Sequence, residues 1–164
     1  MAAGWWETVG RVVEQEFADI GDPERITRLV LRLGMAALLG GLLGLERERS
    51  GKSAGIRTHM LVSMGAALFV LVTQQAGVLE TDVSRVVQGI VAGVGFLGAG
   101  AILKSRGGDQ VKGLTTAAGI WLTAAIGLSA GLGQEVTAVL STVLAILVLS
   151  LESAFGRLGN KLRE

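Results

Sequence analysis

The side chains able to do chemistry gather at two places in the chain. Glu46-Arg47-Glu48 is followed closely by Arg57-Thr58-His59, and farther on Lys104 and Lys112 precede Thr115-Thr116. Thr58 and His59 fall where one apolar stretch begins, and Thr115 and Thr116 where another does. Two helix N-termini would therefore point their partial positive charge at one region and favour anions or carboxylates there. Glu46 and Glu48 offer oxygen to a hydrated Mg²⁺, but Arg47, Arg49 and Lys52 stand beside them and oppose cation capture. An internal ion-pair lock is the stronger reading, with Glu46 and Arg49 as neighbours on a continuing helix. A solvated loop is the plain alternative. His59 is the single histidine and cysteine is absent, so disulfides, thiolate sites and a zinc site built on histidines are excluded. No Ser/His/Asp arrangement surrounds His59, no cofactor is expected, and an enzyme is disfavoured. With an unperturbed pKa of about 6.5, His59 fits a pH sensor, a structural hydrogen-bond donor or neither.

The elements holding these residues are apolar. Of 164 residues, 50% are hydrophobic, 25 are glycine and one is proline, and mean hydropathy is +0.56. Charged residues make up 18%, below the roughly 25% of soluble chains, and they cluster between long apolar runs. Disordered, collagen-like and nucleic-acid-binding classes do not fit, and the net charge is only +1. A transmembrane helix needs about 20 mostly apolar residues. Five stretches come close: 26–45, 60–79, 86–103, 114–132 and 136–151. They are apolar or small all round, without the polar faces of a soluble bundle. The expected fold is all-α and polytopic, with about five transmembrane helices.

If successive helices alternate direction, one side collects ten basic against five acidic residues and the other five basic against nine acidic. The basic side should be cytoplasmic in a bacterial inner membrane, with the N-terminus outside and the C-terminus inside. Ahead of the first span, Trp5, Trp6, Val9, Val12, Val13, Phe17 and Ile20 recur at helical spacing with charges opposite, as in a helix lying on the interface. Asp22-Pro23 has the form of a helix start. The expected organisation is an amphipathic segment over 1–22, a transmembrane domain over 23–152 and a basic cytoplasmic tail over 153–164. Arg32, inside the first span, should snorkel outward or find an intramembrane partner, and Trp121 should pack in the core.

Small residues let helix backbones approach closely in lipid. Ala36, Gly40 and Gly44 form one file, Gly89 and Gly93 another, and Thr115, Gly119, Thr123, Gly127 and Gly131 a third, with Gly95, Gly98 and Gly100 adding to the third span. These glycines are the expected packing positions, within the chain or between copies, and their number favours a homo-oligomer, a dimer first. The last span lacks glycine and should face lipid. Gly41-x-Leu43-Gly44 matches Gly95-x-Leu97-Gly98, and Gly55-Ile56-x-Thr58 matches Gly113-Leu114-x-Thr116. Two parallel hairpin repeats would bring the polar residues of both to one cluster: Glu46, Arg47, Glu48, Arg57, Thr58, His59, Lys104, Lys112, Thr115 and Thr116.

Four motifs in order carry a family likeness. They are Gly44-Leu45-Glu46-Arg47-Glu48, Lys52-x-Ala54-Gly55-Ile56-Arg57-Thr58-His59, Gly93-x-Gly95-Phe96-Leu97-Gly98-Ala99-Gly100-Ala101-Ile102 and Val111-x-Gly113-Leu114-Thr115-Thr116-Ala117-Ala118. Over about residues 26 to 150 the chain resembles the MgtC/SapB family of bacterial inner-membrane proteins. The resemblance implies a multi-pass, non-enzymatic membrane domain, linked in some members to growth in low magnesium, intramacrophage survival and inhibition of the F-type ATP synthase. Longer members continue into a soluble C-terminal domain, so this sequence is expected to be the membrane domain alone. Two functions follow as expectations. One is regulation of ion or ATP balance through contacts with other membrane proteins; the other is a small ion transporter or channel between the repeats. The lipid bilayer is the one certain partner of either, and nucleic acid is not expected.

Overall fold

The computed structural model describes residues 4–17, 22–75, 80–104 and 111–161. Helix α1 spans Trp5–Glu16, α2 Pro23–Arg49, α3 Ile56–Gln75, α4 Glu80–Ala101, α5 Leu114–Gly131 and α6 Glu135–Lys161. Two residues of β1, Leu103–Lys104, pair antiparallel with β2, Val111–Lys112, between α4 and α5. This small hairpin is the one feature outside the expected all-α pattern among the described residues. α2, α3, α4 and α5 are long and apolar enough to cross a membrane, and α6 has a shorter apolar stretch over Glu135–Leu151. α6 continues as helix past the point where that stretch ends.

The chain divides into two compact units, Met1–Leu31 and Arg32–Glu164. In the first, α1 buries none of its residues. The Glu7 carboxylate accepts the Gly4 N–H at 3.1 Å and fixes its start. Trp5 and Trp6 meet edge to face, with ring centres 4.4 Å apart. At 100° per residue, Glu7, Arg11 and Glu14 oppose the apolar arc, but Glu16 falls within it, so the charged face is less complete than expected. Ile20 lies outside the described residues. α2 begins as Asp22-Pro23 implied: Asp22 Oδ1 accepts the N–H groups of Glu24 and Arg25 at 3.0 and 3.3 Å.

In the second unit, α3 and α5 pack along most of their lengths, and α5 also contacts α4 and α6. A β-carbon on Gly127 would land on the Ser63 carbonyl oxygen, and one on Gly131 would lie 2.7 Å from the Ala67 carbonyl oxygen. From the other side, positions built at Gly40 and Gly44 would stand 2.6 Å from the His59 carbonyl oxygen and 2.7 Å from the Ile56 Cα. α3 is thus held between the glycine files of α2 and α5, with backbone against backbone, where dispersion replaces the hydrophobic drive absent in lipid. Side chains fill the rest. Leu39 and Leu43 of α2, Ile126 and Ala130 of α5, and Ala138, Ala145 and Leu149 of α6 share one cluster. Among the side chains described on α6, those buried are Ala138, Thr142, Ala145 and Leu149, on one face; Leu140, Leu144 and Val148 are exposed, as expected of a lipid-facing helix.

The two hairpins expected as repeats can be compared at one contact. Aligning Gly44 with Gly98 and Gly55 with Gly113 also aligns His59 with Ala117. A β-carbon on Gly44 would stand 3.0 Å from the His59 Cβ, and one on Gly98 would stand 3.6 Å from the Ala117 Cβ. Equivalent positions therefore touch in both hairpins. Glycine also closes two helices. Gly51, with φ +69°, follows α2 and Gly133, with φ +79°, follows α5. In each case the next N–H reaches back five residues, Lys52 to the Arg47 carbonyl and Gln134 to the Ser129 carbonyl. That pattern satisfies terminal carbonyls that apolar surroundings would leave unpaired.

Trp121 differs from expectation, and α4 takes one of the two arrangements expected for its glycines. Among the described residues, nothing outside their own helix lies within 4 Å of where a β-carbon on Gly89, Gly93, Gly95 or Gly100 would sit, which leaves a contact between copies open to these four. Trp121 is 50% exposed rather than part of the core. It lies over a narrow apolar space against Val87, Val91 and Val94 of α4, where packing is incomplete.

Candidate functional site

The polar residues collect where α2 ends, α3 begins, α5 begins and α6 passes residue 149. The Schellman turn at Gly51 reverses the chain so that the last turn of α2 stands beside the first turn of α3. Glu48 spans the join, its Oε2 accepting the Ile56 N–H at 3.1 Å. A carboxylate of the chain itself thus occupies the positive end of α3 that sequence reasoning offered to an anion. Gly55 permits this, since a β-carbon there would press on the Glu48 carboxylate.

Arg47 is wholly buried. Its Nε donates to Glu46 Oε2 at 2.5 Å, and its Nη2 donates to the Leu149 carbonyl of α6 at 3.4 Å. The other Glu46 oxygen accepts the Ser50 hydroxyl at 2.9 Å. The ion-pair lock is present, but with a different partner from the expected Glu46–Arg49 pair. The fourth-neighbour rule describes side chains lying along the helix surface. Arg47 points inward, and Glu46 bends across to meet it.

His59 is fully buried one turn below. Its Nδ1 lies 3.0 Å from the Gly55 carbonyl; a carbonyl only accepts, so Nδ1 carries the proton. Nε2 and the hydroxyl of Ser63, one turn on, are buried without a hydrogen-bond partner among the described residues. Nε2 faces Gly119 of α5, and the Arg47 Cδ lies 4.0 Å from the β-carbon position there. Gly119 therefore makes room for both His59 and Arg47. Residue type and helical offset could have flagged Ser63, which falls on the His59 face four residues later, but sequence reading passed over it, as it did Ser50.

The remaining candidates separate by burial. Thr116 is buried on α5, whereas Glu48, Arg57, Thr58, Lys112 and Thr115 are exposed. Lys104 stands on β1, and its side chain lies outside the described residues. The cluster is thus a buried Arg47–His59 centre with half-buried Glu46 and an exposed basic fringe, rather than a single convergent site. Among the described residues no three of His, Asp and Glu come together to hold a metal ion. At the opposite end, Arg32 has found its intramembrane partners: Nη1 donates to Gln74 Oε1 and to the Gly131 carbonyl, each at 2.9 Å.

The approaches at Gly44, Gly55 and Gly98 and the Glu46–Arg47 lock fall on the motifs that suggested a family, and comparison with known sequences decides it. Residues 33–158 match the family model of the MgtC family. The chain belongs to the MgtC family. It is 48% identical to the protein SrpB of Synechococcus elongatus, covering 74% of this chain and 73% of that protein. The putative magnesium transporter YhiD of Escherichia coli K12 is 45% identical, over 73% of this chain and 58% of its own length. The protein MgtC of Salmonella typhimurium LT2 is 43% identical, over 71% and 49%. The chain therefore spans about half to three quarters of these relatives. No solved structure matches it. MgtC-family membership and four long apolar helices make it a multi-pass bacterial membrane protein.

Proposed function

We propose that this protein is a non-enzymatic component of Mg²⁺ homeostasis in the bacterial inner membrane, acting through helix contacts with a second copy of itself and with other membrane proteins. The observation that carries this reading is the open glycine face of α4. Gly89 and Gly93, with Gly65 of α3, border an apolar groove of about 410 Å³ between α3 and α4 that no described residue fills. Small residues are used at the tight contacts of α3 with α2 and α5, and the same residue type left open on α4 suits a helix from outside. The names of the relatives, a magnesium transporter and MgtC, support the link to Mg²⁺. The basic end of the helices, carrying Arg47, Arg49, Lys52 and Arg57, faces the cytoplasm by the positive-inside rule.

The second reading is transport, favoured by the name of the YhiD relative. Against it, the spans hold no ionisable side chain from Leu33 to Leu45, Met60 to Gln75, Val86 to Ala101, Leu114 to Gly131 or Val136 to Leu151. Ion pathways usually keep such groups despite their cost. The carboxylates nearest the buried centre are already bound to Arg47, Ser50 and the Ile56 N–H.

The chain lacks cysteine, so a single introduced thiol reports one position. Phe96 on α4 is 82% exposed and Leu144 on α6 is 61% exposed. In membranes, Phe96→Cys should cross-link to a dimer, Leu144→Cys should not, and adding Gly93→Leu to Phe96→Cys should abolish the product. Cross-linking at Leu144→Cys alone would move the contact to α6 and refute the α4 surface.

A further inference from the structure

Helix α1 buries none of its residues, although its sequence is poorly suited to standing alone. It is 12 residues long, at the lower limit for an isolated helix in water. Gly10 loosens its middle, and Thr8, Val9, Val12 and Val13 lose rotamer freedom in a helix. An apolar surface beyond the described residues must therefore stabilise it. The side chains that would meet that surface share one face. Trp5, Trp6, Val9, Val12, Val13 and Phe17 are all exposed and fall within an arc of about 140°. Glu7, Arg11 and Glu14 lie opposite, and Glu16 enters the arc only in the last turn. From Trp5 to Val13 the arc carries no charge.

We propose that α1 docks on the lipid surface that α2 enters, lying flat among the headgroups with its tryptophan-bearing face about 5–10 Å into the acyl boundary. Covalent reach favours this occupant. Phe17 and Pro23 are six residues apart, which holds α1 within about 20 Å of the start of α2. α2 is long and apolar enough to span, and Glu24, Arg25 and Arg28 in its first two turns belong at headgroup level. So short a tether presents the lipid surface to α1 at high effective concentration. The chemistry of the face agrees. Indole rings suit the boundary between headgroups and hydrocarbon. The arc has no glycine or alanine, the residues used where α3 meets α2 and α5, so it lacks the means for a close helix contact. With three carboxylates and one guanidinium on the segment, anionic lipid exerts no net attraction, and apolar area alone drives insertion into a zwitterionic surface. The charge on Glu16 keeps that end nearer to water, and the tryptophan end sits deeper.

The test is tryptophan fluorescence of the full chain in phosphatidylcholine proteoliposomes. The sequence has three tryptophans, and Trp121→Phe leaves Trp5 and Trp6 as the reporters. Their emission should lie to the blue of tryptophan in water and resist acrylamide. Lipid brominated near the ester should quench it more than lipid brominated near the chain end. In the same background, Val9→Asp with Val13→Asp should raise acrylamide quenching several-fold, whereas Glu7→Gln with Glu14→Gln, on the opposite face, should keep it low. A thermal unfolding curve on each variant separates lost lipid contact from lost folding. Emission typical of water before any charge is introduced would overturn the proposal. So would resistance to acrylamide without quenching by either brominated lipid, which means that protein covers the face; a fall in that resistance on diluting the protein in lipid would make a second copy the occupant. Strongest quenching from the chain end would overturn the flat position and mean deep insertion.

Discussion

Gly127→Leu is expected to abolish the folded protein, and Gly127→Ala to lower its unfolding temperature in detergent by about 6–12 °C. A β-carbon at Gly127 would coincide with the Ser63 carbonyl oxygen, and the Ser63 Cα is 2.7 Å away. The obstacle is backbone on both sides, so neither rotamer change nor a small side-chain shift relieves it. α3 and α5 must separate. That forfeits dispersion along the Gly131–Ala67 contact as well, because the helices are rigid over one turn. Overpacking costs typically about 1–3 kcal/mol, and the upper figure corresponds to about 6–12 °C in a chain of this size. Alanine recovers up to about 1 kcal/mol of helix propensity, which is too little to compensate. Gly34→Ala is the control: nothing lies within 4 Å of its β-carbon position, and its unfolding temperature should hold or rise slightly. Equal behaviour of the two alanine variants would mean that α3 and α5 are not in backbone contact.

Arg47→Leu carries the second large effect, a destabilisation of about 3–5 kcal/mol, the usual cost of removing one partner of a buried pair. The Arg47 side chain is 0% exposed and that of Glu46 only 14%. Without the guanidinium, Glu46 keeps one hydroxyl partner, Ser50, for a carboxylate with little access to water. The bond from Arg47 to the Leu149 carbonyl, a polar tie between α2 and α6, is lost too. Replacing both partners, Glu46→Leu with Arg47→Leu, should be the less destabilising change, because no charge is left stranded. Denaturant unfolding of the single and double variants in micelles gives the cycle directly. A loss below about 1 kcal/mol for Arg47→Leu is the value of a solvated surface pair and would contradict the buried lock.

Much of this was legible before any coordinates. Asp22-Pro23 marked the start of α2 because both residues act locally, through a side-chain cap and a missing N–H. The apolar runs marked the spans because length and composition alone decide whether a helix can sit in lipid. The four-residue file ending in Gly127 and Gly131 correctly announced a close contact, since a continuous groove serves little else. The same reasoning could not tell that Gly89 and Gly93 would stay open. A small-residue file states that a helix can approach and is silent about which helix does. Arg47 was named in the cluster, but its burial and pairing were missed for a related reason. Its partners are Glu46, adjacent in sequence and outside the helical-neighbour rule, and a carbonyl of α6 far along the chain. Trp121 was assigned to the core from its depth in the span, but depth in a bilayer does not imply burial in protein when the solvent is itself apolar. The polar cluster was expected as one group; its division into a buried centre and an exposed fringe follows from the rotation of each helix about its axis, which no single-helix pattern supplies.

The most direct measurement is Mg²⁺ and proton flux into proteoliposomes containing the purified protein, beside empty liposomes and an Arg57→Ala variant. Action through helix contacts predicts no flux above the empty liposomes from well-folded, inserted wild-type protein, and no difference on substituting Arg57. Flux above background that Arg57→Ala abolishes would contradict it and establish a pathway past the basic end of α3.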